Sequence, residues 1–454
     1  MPLVKRDVLD PARLNSHDTI AVLSLADRDL GFQFVKASRG YRLSSHGRES
    51  TAKRPLCRWS IAPKGAQAEL VHCAPEGSLA HDGGVNVQGT LVKITDVTTT
   101  VLRQPDVLGI QDATIRHRET GRSALFVHIR TDQGVEGLGL GQPVARGIIE
   151  GSLKSVLIEQ DPLCHEKLWD DMFWRVRGYG RKGVAFCGIS AIDIALWDLK
   201  AKIFGVPLYR LLGPYTDRVP IYGSGGWTSF SEAELVREQM GYVERGIPRV
   251  KMKVAKDFGK SEREDVRRLA AVRKAVGDDV EIYVDANNGY YAKQAIGMAR
   301  HLADYGVGWF EEPVLADDIA GLAAIARAID IPVATGEHEY TKYGFKELIA
   351  QGGADIVQPD VGRVGGVTEW MKVAHMAHAF NLPVAPHAVQ LVHLHLACCT
   401  PNLKVVEYLG VSEEADRVWY TEFPEPKDGY WSPYPDRPGL GLELNPDAVR
   451  KYAV

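Results

Sequence analysis

The sequence predicts an α/β protein in which a small antiparallel sheet precedes a barrel of parallel strands. Eight short apolar runs lie between residues 219 and 406, and each of the first seven is followed by a segment long enough for a helix. Strands that alternate with helices form parallel βαβ units, and this number within about 200 residues favours a barrel over an open sheet. Before them, residues 92–102 and 124–131 alternate apolar and polar side chains, which is typical of half-buried antiparallel strands.

The composition excludes several classes of protein. The chain has 454 residues, 45% of them hydrophobic and 25% charged, which is typical of a globular enzyme of two or three domains. Its 54 basic and 58 acidic residues give a net charge of −4, so we expect no nucleic-acid partner and no membrane partner. No apolar run approaches the roughly 18 residues of a membrane helix, and we expect no secretory signal. The six cysteines form no C-x-x-C pair, so we expect a cytoplasmic protein with reduced thiols.

Residues 1–91 differ from the rest of the chain. Residues 36–64 contain eight basic side chains and only one acidic side chain. Small, polar and proline residues recur after Gly40. This pattern predicts a poorly structured N-terminal extension. A basic arm that binds a partner is the alternative.

We predict that removal of this extension leaves the enzyme intact. A chain that begins near Val92 is expected to keep its melting temperature and its activity, because the extension is a mixture of basic and small residues with poor apolar periodicity after Gly40. Thermal unfolding and activity assays of both chains test this prediction. A loss of either property would make the extension a genuine domain.

The remaining boundaries follow from turn and breaker residues. Residues 132–134 (Asp-Gln-Gly) supply a turn into a third strand at 135–140, and helices are predicted over 150–175 and 184–204. We therefore expect an N-terminal α+β domain at 92–215 and the barrel at 216–410. The Pro- and Gly-rich C-terminal segment, 411–454, is expected to pack back on the first domain.

Ionisable residues recur where the predicted barrel strands end. Active sites of such barrels lie at the carboxyl ends of the strands. Charges that converge in a confined site are costly unless a ligand compensates them, so a whole series of them indicates function. The series consists of Lys251 and Lys253, then Asp285, Glu311, Glu337, Asp360, His387 and Glu407.

Three of these strand ends carry carboxylates on neighbouring strands. Asp285, Glu311 and Glu337 would repel one another unless a hard cation lies between them. Ligand sets made only of oxygen favour Mg²⁺ over Zn²⁺. Glu312 and Glu339 are further acids nearby, so the spacing leaves the choice between adjacent residues open.

Two lysines on one strand are candidates for proton transfer. Lys251 and Lys253 are two residues apart, so both point to the same face of the strand. Each ammonium group is expected to lower the pKa of the other, and a neutral lysine can act as a base near pH 7.

A histidine and an aspartate follow consecutive strands. A carboxylate from Asp360 on one ring nitrogen of His387 would fix its tautomer and leave the other nitrogen free for proton transfer. His393 and His395 fit buried core histidines better than ligands, whereas His338 fits either interpretation.

The runs that follow the strands occur in the order KMK, VDAN, FEEP, TGE, QPD, PH and VVE. In this order the chain resembles the enolase superfamily and, within it, the mandelate racemase subgroup, from residue 92 to the C-terminus. The run SAIDIALWDLKAK at residues 190–202 resembles that family's link between its two domains. The resemblance implies an α+β capping domain on a modified TIM barrel, (β/α)₇β, and Mg²⁺ bound by Asp285, Glu311 and Glu337.

The resemblance also implies roles for individual residues. Lys253 matches one acid/base residue of the family, and His387, paired with Asp360, matches the other. Contacts with the substrate are implied for Lys251, Asn287 and Glu407.

Shorter runs resemble enzymes that act on sugar acids. GEHEYTKYGF (residues 336–345) and YGRKG (179–183) resemble L-rhamnonate dehydratases, whereas QPDVGRVGG (358–366) and VHLHL (392–396) resemble talarate/galactarate dehydratases. We expect a homo-oligomeric, Mg²⁺-dependent lyase that dehydrates a small-molecule sugar acid to a 2-keto-3-deoxy acid. A racemase or epimerase, a lactone cycloisomerase and a catalytically inactive binding protein are the alternatives. Specificity is expected from the loops at 105–122 and 141–148, which carry Arg116, Arg118, Arg122 and Arg146.

Overall fold

A three-stranded antiparallel sheet begins the described part of the chain. The computed structural model describes residues 92–104, 109–114 and 123–454, so the extension predicted at 1–91 lies outside the described residues. The strands are β1 (Ile94–Arg103), β2 (Ser123–Thr131) and β3 (Glu136–Gly141), in that order across the sheet. A Cβ atom at Gly139 would lie 2.1 Å from the carbonyl oxygen of Ala191, so only glycine lets β3 approach the helix beneath it this closely.

Helices cover this sheet. The predicted helix at 184–204 is confirmed, whereas the one predicted over 150–175 is broken, because residues 158–164 leave the helical conformation around Asp161 and Pro162. The helices of this region are α1 (Arg146–Ile148), α2 (Lys154–Leu157), α3 (His165–Val176), α4 (Val184–Ile203) and α5 (Leu208–Leu212). A 3₁₀ turn at Pro143–Ala145 and a π turn at Ile149–Leu153 flank α1.

Parallel strands form the second sheet, and their order across the sheet follows the chain except that the last strand lies beside the first. The strands are β4 (Val219–Ser224), β5 (Arg249–Lys253), β6 (Glu281–Asp285), β7 (Val307–Glu311), β8 (Val333–Thr335), β9 (Ile356–Val357) and β10 (Val406–Leu409). The seventh predicted strand is reduced to single bridges from Val384 to Val357 and to Leu403, which close the ring between β9 and β10. The predicted α/β fold, a capping sheet plus a barrel, is confirmed.

Helices surround the barrel. A capping box between Ser231 and Glu234 starts the first of them, since each residue's side chain bonds the other's backbone N–H. They are α6 (Glu232–Glu244), α7 (Lys256–Gly259), α8 (Glu262–Val276), α9 (Ala292–Ala303), α10 (Ile319–Ala328), α11 (Thr341–Ala350), α12 (Gly366–Ala379) and α13 (Gln390–Ala397). Among the described ranges, no helix has both the length and the apolar character needed to cross a membrane.

The C-terminal segment pairs a short strand with β4 in antiparallel fashion and returns to the capping sheet. It contains α14 (Gly410–Trp419), β11 (Tyr430–Trp431) and α15 (Pro446–Tyr452). At the chain end, the backbone N–H of Val454 donates to the carbonyl oxygen of Val101 in β1 at 3.0 Å.

Buried acids on α4 connect it to its surroundings. Asp193 accepts from the backbone N–H and the hydroxyl of Thr368 on α12, at 2.9 and 2.7 Å. Asp198 accepts from the backbone N–H groups of Leu138 and Leu440, both at 2.7 Å. The run that resembles an interdomain link therefore bonds the capping sheet, the barrel and the C-terminal segment to one helix.

We predict that Asp198→Ala lowers the free energy of unfolding by about 2–5 kcal/mol, because it leaves two buried backbone donors without their acceptor and removes the ion pair with Lys202. Chemical denaturation at neutral pH measures this loss. Asp170→Ala, at an exposed site on α3, is the matched control and should change the free energy by no more than about 0.5 kcal/mol. Equal effects of the two substitutions would contradict the prediction.

Candidate active site

The charged strand ends meet at the carboxyl end of the barrel. The register places Lys253 beside Asp285 and Asp285 beside Glu311 on three successive strands. Below them, rings from several strands fill the barrel interior, and Tyr283 and Trp309 stack with centroids 3.5 Å apart. The whole series except His387 is at most 7% exposed, so these charges are removed from water together.

Three carboxylates form one group. Single oxygens of Asp285, Glu311 and Glu337 all lie within 4.8 Å of one another. Burial and the charge of Asp285 raise the pKa of Glu311 to about 8, although Lys251 opposes the shift. Trp309 donates from Nε1 to Glu311 at 2.9 Å and fixes its orientation. The group has the composition of a site for a hard divalent cation.

The adjacent acid Glu312 points to other partners. Its Oε1 lies 2.6 Å from Nδ1 of His338, and its Oε2 accepts from Asn288 at 2.8 Å. Glu312 can still form a second group with Glu337 and His338, so the described ranges contain two overlapping sets of potential metal ligands. Only the set with Glu311 lies beside the two lysines.

The lysines of β5 are bonded to these carboxylates. Nζ of Lys251 lies 2.7 Å from Glu311 and 3.0 Å from Glu407, and Nζ of Lys253 lies 2.5 Å from Asp285. Burial lowers the pKa of Lys253, but the charges of Asp285, Glu311 and Glu337 together outweigh it, so the pKa lies above its usual value. Lys251 lowers the pKa of Lys253 as expected, but the expected net result, a lysine with a lowered pKa, is wrong here, because the neighbouring carboxylates dominate.

His387 lies between two carboxylates. Its Nδ1 is 2.9 Å from Asp360, and its Nε2 is 3.3 Å from Glu337. Burial lowers the pKa of His387, but both carboxylates raise it, and the resulting pKa is about 9. The structure thus brings His387 and Asp360 together as the sequence predicts.

Arg363 is a residue of this site that the sequence analysis did not assign. Its Nη1 donates to the carbonyl oxygen of Glu337 at 2.9 Å, and its Nε lies 3.5 Å from Asp360. It therefore links the carboxylate group to the His387–Asp360 pair. Its position three residues after Asp360, in the turn before α12, could have indicated from the sequence that Arg363 belongs to the site.

Asn287 and Glu407 are the remaining predicted substrate contacts at the rim of the site, the ring of side chains at the carboxyl ends of the barrel strands. Asn287 donates from its backbone and side chain to Asp285, at 2.8 and 3.2 Å, which leaves its buried Oδ1 without a hydrogen-bond partner in the described ranges. Glu407 accepts from Ser224 at 2.7 Å and from the backbone of Ala388 at 2.6 Å. Ser224 was also not assigned from the sequence.

Much of the first predicted specificity loop, with Arg116, Arg118 and Arg122, lies outside the described residues. Its described part, 109–114, reaches the site, because the hydroxyl of Thr114 donates to the carbonyl oxygen of Asn287 at 3.2 Å. Arg146 of the second loop instead pairs with Glu150 at 3.1 Å. Arg146 therefore forms an ion pair on the surface of the capping domain.

Two family models match the chain. Residues 97–213 match the mandelate racemase / muconate lactonizing enzyme N-terminal domain, and residues 234–448 match the enolase C-terminal domain-like family.

Related proteins catalyse more than one kind of reaction. The chain is 35% identical over 338 residues to an arabinonate dehydratase of Saccharolobus solfataricus, with 71% of this chain and 89% of that protein covered. It is 34% identical over 336 residues to a 3,6-anhydro-alpha-L-galactonate cycloisomerase of Streptomyces coelicolor, with 73% and 91% covered.

A solved structure matches both domains. The L-talarate/galactarate dehydratase of Salmonella typhimurium LT2, liganded with Mg and L-lyxarohydroxamate, superposes with a TM-score of 0.74 at 32% identity. The match covers 84% of this chain and 98% of that chain.

Proposed function

The chain belongs to the mandelate racemase / muconate lactonizing enzyme family, and we propose that it is a Mg²⁺-dependent dehydratase of sugar acids. The observation that carries this proposal is the buried group of three carboxylates with a different proton-transfer side chain at each end. Lys253 is bonded to Asp285 at one end, and His387 contacts Glu337 at the other. This arrangement offers a cation site between a base and an acid.

Asp285, Glu311 and Glu337 suit Mg²⁺ because all their donor atoms are carboxylate oxygens. Burial makes three adjacent negative charges costly, and the raised pKa of Glu311 reflects that cost. Mg²⁺ bound there would neutralise these charges and bind the carboxylate of an acid substrate, which makes the α-proton more acidic. The related dehydratase structure that contains Mg supports this assignment.

The remaining rim residues would bind the substrate. Lys251 is fixed between Glu311 and Glu407, and its positive charge can meet a substrate carboxylate oxygen. The free Oδ1 of Asn287 can accept from a hydroxyl group. A sugar acid offers both a carboxylate and hydroxyl groups.

Lys253 is the proposed base. Asp285 keeps it protonated in the structure, but once Asp285 serves as a metal ligand, the ammonium group of Lys251 favours the neutral amine. The neutral amine then removes the α-proton, and the electron pair of the broken C–H bond moves into the enediolate of the acid.

His387 is the proposed acid. Asp360, which is not among the proposed metal ligands, bonds the ring through Nδ1 and raises its pKa, which favours the protonated ring. The ring gives a proton to the 3-hydroxyl, the C3–O bond breaks, and water leaves. The resulting enol rearranges to the 2-keto-3-deoxy acid, so the product is the substrate minus one water.

A cycloisomerase is the second candidate, because a cycloisomerase matches the chain about as well as the dehydratases do. A cycloisomerase or an epimerase would use the same proton abstraction, but its product would be an isomer of the substrate. The two reaction classes therefore share the base and differ in the fate of the 3-hydroxyl.

A substrate screen tests the proposal. The protein is incubated with a library of aldonates and aldarates, with Mg²⁺ or with a chelator, and 2-keto acids are detected with semicarbazide. We expect keto acid from at least one sugar acid, and only with Mg²⁺. Isomeric products alone would favour a cycloisomerase or an epimerase, and binding without conversion would favour an inactive binding protein.

A further inference from the structure

His393 on α13 connects the backbone beside both members of the His387–Asp360 pair. The ring is fully buried. Its Nδ1 lies 2.7 Å from the carbonyl oxygen of Ala388, the residue after His387. Its Nε2 lies 3.2 Å from the backbone nitrogen of Val361, the residue after Asp360. One imidazole therefore joins the two chain segments that carry the pair.

The partners of the ring define its tautomer. A backbone N–H can only donate, so Nε2 accepts from Val361, and a carbonyl oxygen can only accept, so Nδ1 donates to Ala388. Burial lowers the pKa of His393 to about 4, so the ring is neutral and carries its single proton on Nδ1. Each nitrogen thus has one fixed role.

The segment after His387 needs this support. Ala388 and Val389 have φ values of +47° and +37°, a left-handed conformation that side chains with a Cβ atom disfavour. The N–H of Ala388 donates to Glu407 at 2.6 Å, and its carbonyl oxygen accepts from His393. Two buried side chains therefore hold this peptide in an unfavourable conformation.

We propose that His393 is a positioning residue, which holds the strained backbone after His387 so that the ring of His387 stays bonded to Asp360 and directed at the leaving hydroxyl. The inference rests on the proposed function for the role of His387. The backbone geometry on which it is built does not depend on that role.

Two variants separate the two hydrogen bonds. His393→Gln places its amide near the former position of Nε2, so it keeps an acceptor for the N–H of Val361 and loses the donor to the carbonyl oxygen of Ala388. His393→Asn places its amide near the former position of Nδ1, so it keeps the donor to Ala388 and loses the acceptor for Val361. We expect His393→Gln to lower kcat for dehydration by about 10- to 100-fold with little change in KM. His393→Asn should keep most of kcat. Exchange of the substrate α-proton in D₂O, assigned to Lys253, should stay near the wild-type rate in both.

His395→Asn is the matched control. His395 is also buried, its pKa is also lowered to about 4 by burial, and it bonds the backbone of Tyr209 at 3.3 Å and of Leu440 at 3.1 Å. The His395→Asn variant should have a lower melting temperature than the wild type and should keep the wild-type ratio of dehydration to α-proton exchange. If His393→Gln also kept that ratio, its role would be purely structural and the proposal would be wrong.

Relief of the backbone strain provides an independent test. Glycine adopts positive φ freely, so Ala388→Gly added to His393→Gln is expected to recover part of the lost kcat and to support folding if His393→Gln alone does not fold. Failure of this double variant to recover any dehydration would contradict the positioning role.

A crystal structure of the His393→Gln variant tests the geometry without any assay. We expect Ala388 to leave the left-handed region and the His387–Asp360 hydrogen bond to open, and an unchanged bond would overturn the inference. If the wild-type protein dehydrates no sugar acid, the proposed function fails, and this crystallographic test of His393 still stands.

Discussion

Glu311→Gln is expected to abolish turnover and to weaken Mg²⁺ binding, because it removes a charged ligand from the group of three carboxylates. A metal ion contributes several kcal/mol of charge stabilisation, so the loss in kcat/KM should be about 10³-fold or more. Asp285→Asn and Glu337→Gln should have effects of similar size. Calorimetry with Mg²⁺ and the dehydration assay measure the two consequences separately.

Glu312→Gln is the matched control for this prediction. Glu312 is equally buried and adjacent in sequence, but it bonds His338 and Asn288 instead of the lysines. Its substitution should leave most of the Mg²⁺ affinity in place. Unchanged Mg²⁺ affinity in Glu311→Gln, together with a loss in Glu312→Gln, would transfer the ligand role to Glu312 and contradict the assignment.

His387→Asn is expected to stop dehydration, because loss of the 3-hydroxyl needs a proton donor and the amide of asparagine cannot replace one. General acid catalysis contributes about 10²- to 10⁴-fold, and the fall in kcat should lie in that range. Lys253 should still remove the α-proton of a substrate with the right configuration. Nuclear magnetic resonance in D₂O, which follows deuterium at the α-carbon and keto acid in the same sample, measures both steps.

The outcomes distinguish the two proton-transfer groups. Exchange without keto acid supports Lys253 as the base and His387 as the acid. Absence of exchange would make His387 the base instead. Dehydration at the wild-type rate would remove His387 from the mechanism. Lys253→Ala is the complementary variant and should lose both exchange and dehydration.

The strand-end series was predictable from the sequence for a simple physical reason. Parallel strands of a barrel end at one face, so a charged residue at each strand end must share that face with the others. The grouping of Asp285, Glu311 and Glu337 and the pairing of His387 with Asp360 both follow from this geometry.

Other features depend on contacts that no local pattern encodes. The seventh predicted strand forms only single bridges at Val384, although its apolar run resembles those of the other strands. The lysine pKa values depend on carboxylates brought in from β6, β7 and β10, and these outweigh the adjacent like charge. Arg363 and His393 each have one partner far away in the sequence, Glu337 at 26 residues and Val361 at 32 residues, and the sequence alone does not indicate these two contacts.

The mass of the product distinguishes dehydration from isomerisation. A sugar acid that the protein consumes in the presence of Mg²⁺ is incubated in D₂O, and the product is analysed by mass spectrometry and nuclear magnetic resonance. We expect a 2-keto-3-deoxy acid that has lost one water, that carries deuterium at C3, and that does not form when a chelator removes Mg²⁺. A product of the same composition as the substrate, whether epimer or cyclic isomer, would contradict the proposed dehydration.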